Sequence, residues 1–388
     1  MADPNTRLPL SHQSVLEAHK LIKPHIHFTP VLTNRTIDEI ASTPQSLEAL
    51  KGTEWEGKEP AKPKIRLWFK CENLQRVGAF KVRGAFHALK RLEEAEGGVD
   101  AGYGDGGWRE KGVVTHSSGN HAQALALAAR ELKIPAHIVM PTISTPSKIA
   151  ATKGYGAQVR FSGSTSVERE AMVEEVIKET GAKLVPPYDH PDIIAGQGTM
   201  GLELQEQVRK LQFERGVIGA LSCQDTGISV FGAEPEFQGA DDGKRGFRQG
   251  KRIESVKSLT IADGLRTPVG KLPWDVIYER RLVRDMYSVS EEQIRMAMRL
   301  VFERMKVVVE PRGWWRGRGG RWGGMLGWFL VGGMWGLRLW GDFFEVGRGE
   351  GGGEVEGERE RERAGGVVEE GWKRVAEILR GRGCLDDG

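Results

Sequence analysis

Between residues 112 and 208 the chain alternates short apolar runs with longer amphipathic ones, and few folds accommodate that pattern. The runs at 112–115, 135–140, 157–161 and 182–185 have strand length. The segments at 120–133, 146–153, 167–180 and 192–208 carry apolar residues at helical spacing. Strands alternating with helices predict a parallel sheet with crossover helices. Ligands of such sheets collect at the carboxyl ends of the strands. The stretch THSSGNHAQAL, starting at Thr115, leaves the first strand and enters the first helix, where a ligand would lie. Two readings are open for Ser117, Ser118, Gly119, Asn120 and His121. Serine and asparagine at a helix start cap orphan amides. The same hydroxyls and N–H groups also bind a carboxylate well.

A length of 388 residues is enough for two domains and a large core. With 39% hydrophobic and 28% charged residues, the composition is that of a soluble globular protein. A net charge of +3 gives the whole molecule no strong field for nucleic acid. The cysteines at 71, 223 and 384 have neither paired nor metal-type spacing, which argues against a disulfide framework and suits a reducing cytoplasm. MADPNTRLPLSHQS shows no basic segment followed by an apolar one, so no secretory signal is expected. A literal Gly102-x-Gly104-x-x-Gly107 lies in a glycine- and aspartate-rich linker. No strand precedes it and no helix opens on it, so it is not read as a dinucleotide site.

The second stretch of interest is ENLQRVGAFKVRGA, residues 72–85. Small residues lie just upstream of Phe80, and helical spacing begins after Ala79, so Lys81 falls at or near a helix N-terminus. A cation there is disfavoured by the helix dipole, by a few tenths to ~1 kcal/mol. Burial beside Phe80 acts in the same direction, towards a free nucleophilic amine. The other reading of Lys81 is an amphipathic lysine snorkelling from its helix.

Together, Glu72 with VGAFKVRGA and the later THSSGNHAQAL resemble the serine/threonine dehydratase family of fold type II pyridoxal-phosphate enzymes, from about residue 14 to 311. The nearest members by resemblance are serine racemases and fungal serine or hydroxyaspartate dehydratases. The resemblance implies an α/β fold of two open parallel sheets. One domain would span 1–111 and 190–311, and a smaller one 112–189. It implies that Lys81 carries pyridoxal 5'-phosphate as a Schiff base, flanked by Phe80, and that Asn120 bonds the cofactor's ring hydroxyl. Residues 117–121 would hold the substrate carboxylate, and Ser118 would return a proton on the face opposite Lys81. The expected substrate is a small β-hydroxy amino acid such as serine, threonine or hydroxyaspartate. Arg169 has a weak resemblance to a mobile arginine of the small domain, and the residues themselves favour a solvated helix arginine. IAGQGT, 194–199, resembles a segment that supports the cofactor pocket. Glu234, the Ala240 carbonyl and Asp242 would hold Mg2+ or Ca2+, the hard cations that oxygen ligands suit; a polar surface loop is the alternative. A homodimer is implied, and no membrane partner.

The chain departs from that family twice. Between 215 and 228 the family carries a glycine cluster whose amides cradle the cofactor phosphate. Here GVIGALSCQDTG has only the scattered Gly216, Gly219 and Gly227, and weakened cofactor affinity is the expectation. After Pro311, glycine, arginine and tryptophan dominate, with six of the eleven tryptophans between 314 and 340, and no Ser-Gly-Gly-like motif follows. The expectation for 312–388 is a disordered tail. Two other readings follow: a catalytically impaired remnant, and an interaction protein whose arginine–glycine–aromatic tail stacks on single-stranded nucleic acid. The uncharged run 322–337 falls short of the ~20 residues a membrane span needs.

Overall fold

The computed structural model describes residues 10–310, apart from 45, 53–55, 61, 63–65, 97–106, 118 and 211–229. The expectations for the tail and for the segment lacking the glycine cluster therefore lie outside the described residues, as does the Ser118 assignment. The helices are α1 His12–Ile22, α2 Arg35–Ala41, α3 Leu47–Leu50, α4 Lys81–Glu96, α5 Trp108–Lys111, α6 Asn120–Glu131, α7 Pro146–Gly154, α8 Ser166–Thr180, α9 Pro191–Lys210, α10 Asp242–Gln249, α11 Lys271–Trp274 and α12 Glu291–Leu300. The strands are β1 Val31–Leu32, β2 Phe69–Lys70, β3 Val113–His116, β4 Ala136–Pro141, β5 Gln158–Ser162, β6 Lys183–Leu184, β7 Phe231–Pro235 and β8 Asp285–Val289.

The predicted alternation is realised as a parallel sheet in the order β5-β4-β3-β6. Val113 pairs with Ala136 and with Lys183, and Val139 with Arg160. Strand period two sends side chains to opposite faces. Val113, Ile138 and Met140 pack with α4 and α6, whereas Val114 and Val139 pack with Val173 and Val176 of α8. β4 is buried along its whole length, which needs helices on both faces. Helix starts follow local chemistry. Thr165 and Glu168 form a capping box on α8, and Ser290 and Gln293 form one on α12. α8 ends on Gly181 in the left-handed region, φ 71°.

A second layer joins α1, α9, β7 and β8 through Val15, Ala18, Ala195, Leu204, Val230 and Met286. β7 and β8 are parallel, with Glu234 opposite Ser288. β1 and β2 are antiparallel, with Val31 opposite Lys70, which brings the Thr29 turn beside the 72–81 loop. Some elements end on local features. The first helix stops at Ile22, because Pro24 turns the chain through a 3-10 turn. β2 is two residues long, Phe69–Lys70. α12 is α-helical to Leu300, after which the chain widens to a π turn and stops at Lys306, φ 56°. No helix among the described residues is long and apolar enough to cross a membrane.

Candidate active site

Lys81 is the first residue of α4, as its sequence position predicts. Phe80 is buried beside it, with the Lys81 ammonium 5.4 Å from the ring centroid. Lys81 is half-buried, and its Nζ donates to the carbonyl oxygen of Pro187 at 2.9 Å. That carbonyl belongs to the connection between β6 and α9, residues 185–190. Pro186 and Pro187 fix φ there, and the chain then bends over 187–189, with Asp189 at φ 51°.

The same connection meets the turn after β3. His121 is buried, and its Nε2 lies 3.4 Å from the Val185 carbonyl, donating from that ring nitrogen. Amine and turn thus converge on a segment three residues long. The Ser117 N–H donates to Val139 O at 3.1 Å, and Ser117 Oγ accepts the Gly119 N–H at 3.3 Å. α6 then opens with Gly119 at its cap position and no side-chain cap. Ser117 and Asn120 do not act as caps there, so the helix N-terminus keeps its affinity for an anion. Asn120 is half-buried at the first helical position.

Arg169, in the first turn of α8, is half-buried, with Nε donating to Thr165 O at 3.3 Å. Its charge reaches two groups at this end of the sheet. His116, the residue before Ser117, has its pKa lowered by burial and then by Arg169. Burial pushes Tyr188 up, and Arg169 opposes that. Gln197 of IAGQGT sits where α9 meets α4, accepting the Gly84 N–H at 3.2 Å. Its Nε2 is buried without a partner among the described residues.

Sequence reading overlooked the 185–190 connection and Tyr188. The run PPYDHP carries the only signal, a proline-bounded link between a strand and a helix. The amine, the aromatic beside it and the uncapped helix start suit a phosphorylated pyridine aldehyde that links to lysine and carries anionic groups.

Glu234, on β7, is buried and accepts the Lys244 N–H at 2.9 Å. Its carboxyl is pushed well above the usual range, by burial first and then by the charge of Asp242. Asp242 is also buried and accepts the Val269 N–H at 2.8 Å; burial raises it to about 6. Ala240 is buried between them in sequence, after a turn in which Gln238 has φ 52°. Two desolvated carboxylates whose charges oppose one another fit a divalent cation. Among the described residues no group of three acidic, histidine or cysteine side chains forms a metal cluster, so a carbonyl and solvent would complete the shell.

The family profile named pyridoxal-phosphate dependent enzyme matches residues 54–314. A serine racemase of Dictyostelium discoideum is 39% identical over 311 residues, covering 77% of this chain and 84% of that protein. An L-threo-3-hydroxyaspartate ammonia-lyase of Saccharomyces cerevisiae is 38% identical over 312 residues, covering 78% and 84%. The structure of maize serine racemase superposes with a TM-score of 0.64 at 36% identity, covering 78% of this chain and 83% of that one. On this profile match and these relatives, the chain belongs to the pyridoxal-phosphate-dependent enzymes of the α/β open-sheet fold.

Proposed function

We propose that this chain is a pyridoxal-phosphate-dependent racemase and β-eliminating ammonia-lyase acting on serine or a related β-hydroxy amino acid. The observation that carries the reading is the convergence of Lys81 and His121 on the 185–187 segment. It sets a primary amine beside a turn suited to a carboxylate. The relatives named above fit one reaction scheme, because racemisation and β-elimination both begin with removal of the α-proton.

When bound, pyridoxal phosphate supplies an electron sink for charge that develops at the substrate α-carbon. Lys81 Nζ would hold the cofactor, and its amine would take the α-proton on its own face. The Ser117 hydroxyl and the first amides of α6 would bind the substrate carboxylate, with Asn120 towards the cofactor ring. His121, buried against Val185 O, braces that turn from inside. Ser118 Oγ returns a proton on the opposite face, which permits racemisation. Loss of the β-hydroxyl instead leads to pyruvate and ammonia when serine is the substrate. Arg169 adds positive charge near the carboxylate end. Glu234, Asp242 and the Ala240 carbonyl would hold Mg2+ or Ca2+ as a structural ion. The small domain of 112–189 and the homodimer belong to the same proposal.

The test uses L-serine with the full chain and Lys81→Ala. Wild type should release pyruvate and form D-serine, and Lys81→Ala should lose at least about a thousandfold in both. Elimination that survives in Lys81→Ala would end the proposal. A wild-type chain that neither links the cofactor nor turns over serine would favour the impaired remnant.

A further inference from the structure

The loop that presents Lys81 is closed at its base by a buried ionic cluster. Arg83 is 0% exposed, and its Nε and Nη2 donate to the two carboxylate oxygens of Glu72, at 2.8 Å each. The other edge of the fork holds Glu203 of α9, with Nη1 at 2.7 Å and Nη2 at 2.9 Å. Lys70 of β2 donates to Glu203 at 2.7 Å and to Thr29 O at 2.8 Å. The Thr29 hydroxyl returns to Glu72 at 2.6 Å. Two cations and two carboxylates, each at most 2% exposed, thus form a neutral cluster.

The chain leaves this cluster at Glu72 and re-enters it at Arg83. Between them Gln75 bonds both the N–H and the C=O of His27, at 2.9 and 2.8 Å. Val77, a β-branched residue, is held at φ 55°, and Gly78 at φ 69°. Strain of that kind persists only where the surroundings over-determine the backbone. Lys81 lies two residues inside the closure, and Arg83 shares its helical turn. Apolar packing would stabilise such a core at least as well as buried ions do. A fork gripped on both edges does what apolar packing does not: it sets the orientation of the turn it belongs to.

We infer that the Glu72–Arg83–Glu203–Lys70 cluster is a clasp that positions the Lys81 amine, with Arg83 a positioning residue that touches neither substrate nor cofactor. The inference rests on Lys81 being the cofactor lysine. Arginine is required because lysine cannot grip two carboxylates with a planar fork.

Two readouts on the full chain separate the claims, in wild type, Arg83→Lys and Glu72→Gln. The first is competitive acetylation of the cofactor-free protein, read by peptide mass as the Lys81 to Lys153 ratio. Lys153 is exposed, and Lys244, buried on Ser288 Oγ, reports unfolding. The second is capture of pyridoxal phosphate. The amine nitrogen bonds the aldehyde carbon with loss of water, and borohydride then reduces the C=N bond to a secondary amine. Slackening the clasp should free Lys81 from Pro187 and raise its acetylation ratio several-fold, while capture slows roughly tenfold to a hundredfold. Lys244 should stay protected. Should Arg83→Lys fail to fold, Glu72→Gln carries the comparison. Unchanged ratio and capture in the folded variants overturn the clasp, as does a rise shared by Lys244, which marks general loosening. A wild type that captures no cofactor at Lys81, with the ratio still shifting, refutes the lysine assignment and leaves the clasp standing.

Discussion

Asp192, on the first turn of α9, is a single residue with an unusual environment. Its carboxyl is buried and raised to about 7 by desolvation. Arg91 and His190 approach only to 4.0 Å. A carboxyl whose folded pKa lies above its unfolded value binds more protons folded than unfolded. Its contribution is present in full below about pH 4 and is lost as pH rises towards 7. Asp192→Asn removes that loss. The variant should be more stable than wild type at pH 8, on the order of 1–3 kcal/mol, with the gap closing by pH 4. Urea midpoints at both pH values check this, and an equal shift at both would contradict it. Residue by residue, Lys81 and its position at a helix start were legible from the small residues and Phe80 ahead of it. The partner of its amine was not, because Pro187 is 106 positions away and contributes a backbone oxygen that any residue would carry.

At the scale of elements, α4 and α9, the helices that carry Lys81 and Glu203, approach closely. Their backbones approach at Gly84 and Gly196. A Cβ on Gly196 would lie 2.7 Å from Gly84 Cα and 2.8 Å from Arg83 O, both backbone atoms that cannot yield. A Cβ on Gly84 would first meet the flexible Gln197 amide, at 2.6 Å, and Ile193 O at 3.0 Å. Gly196→Ala should therefore destabilise more than Gly84→Ala, by about 1–3 kcal/mol against wild type, as overpacking does. It should also slow cofactor capture at Lys81 by parting the two helices. Thermal melts and the borohydride label read both effects; equal melts for the two variants would sink the ranking. The strand–helix order of this region was legible because period two and period 3.6 alternate over nearly a hundred residues. The crossing was not: glycines read as breakers in a helix pattern, and here they permit contact.

For the molecule as a whole, the Glu234–Asp242 site joins β7 to α10 and, through the Val269 N–H, to the segment before α11. A divalent cation bound there, as proposed, would neutralise two buried carboxylates and would favour the folded chain. At a concentration a hundred times its Kd it should add about 2.7 kcal/mol of stability. Millimolar Mg2+ or Ca2+ should therefore raise Tm by several degrees in wild type, and not in Glu234→Gln or Asp242→Asn. An equal rise in the variants would remove the site from the proposal. What the sequence determined unaided was what repeats locally: the parallel alternation, the lysine at a helix start, and the resemblance its motifs carry. Tertiary structure alone decided which distant groups meet. It joined Lys81 to Pro187, and it gathered Lys70, Glu72, Arg83 and Glu203 into one cluster from three elements and a turn. Periodicity reports how a residue faces its own helix or strand. A buried charge is tolerable only beside its counter-charge, and that pairing is set by how the elements pack.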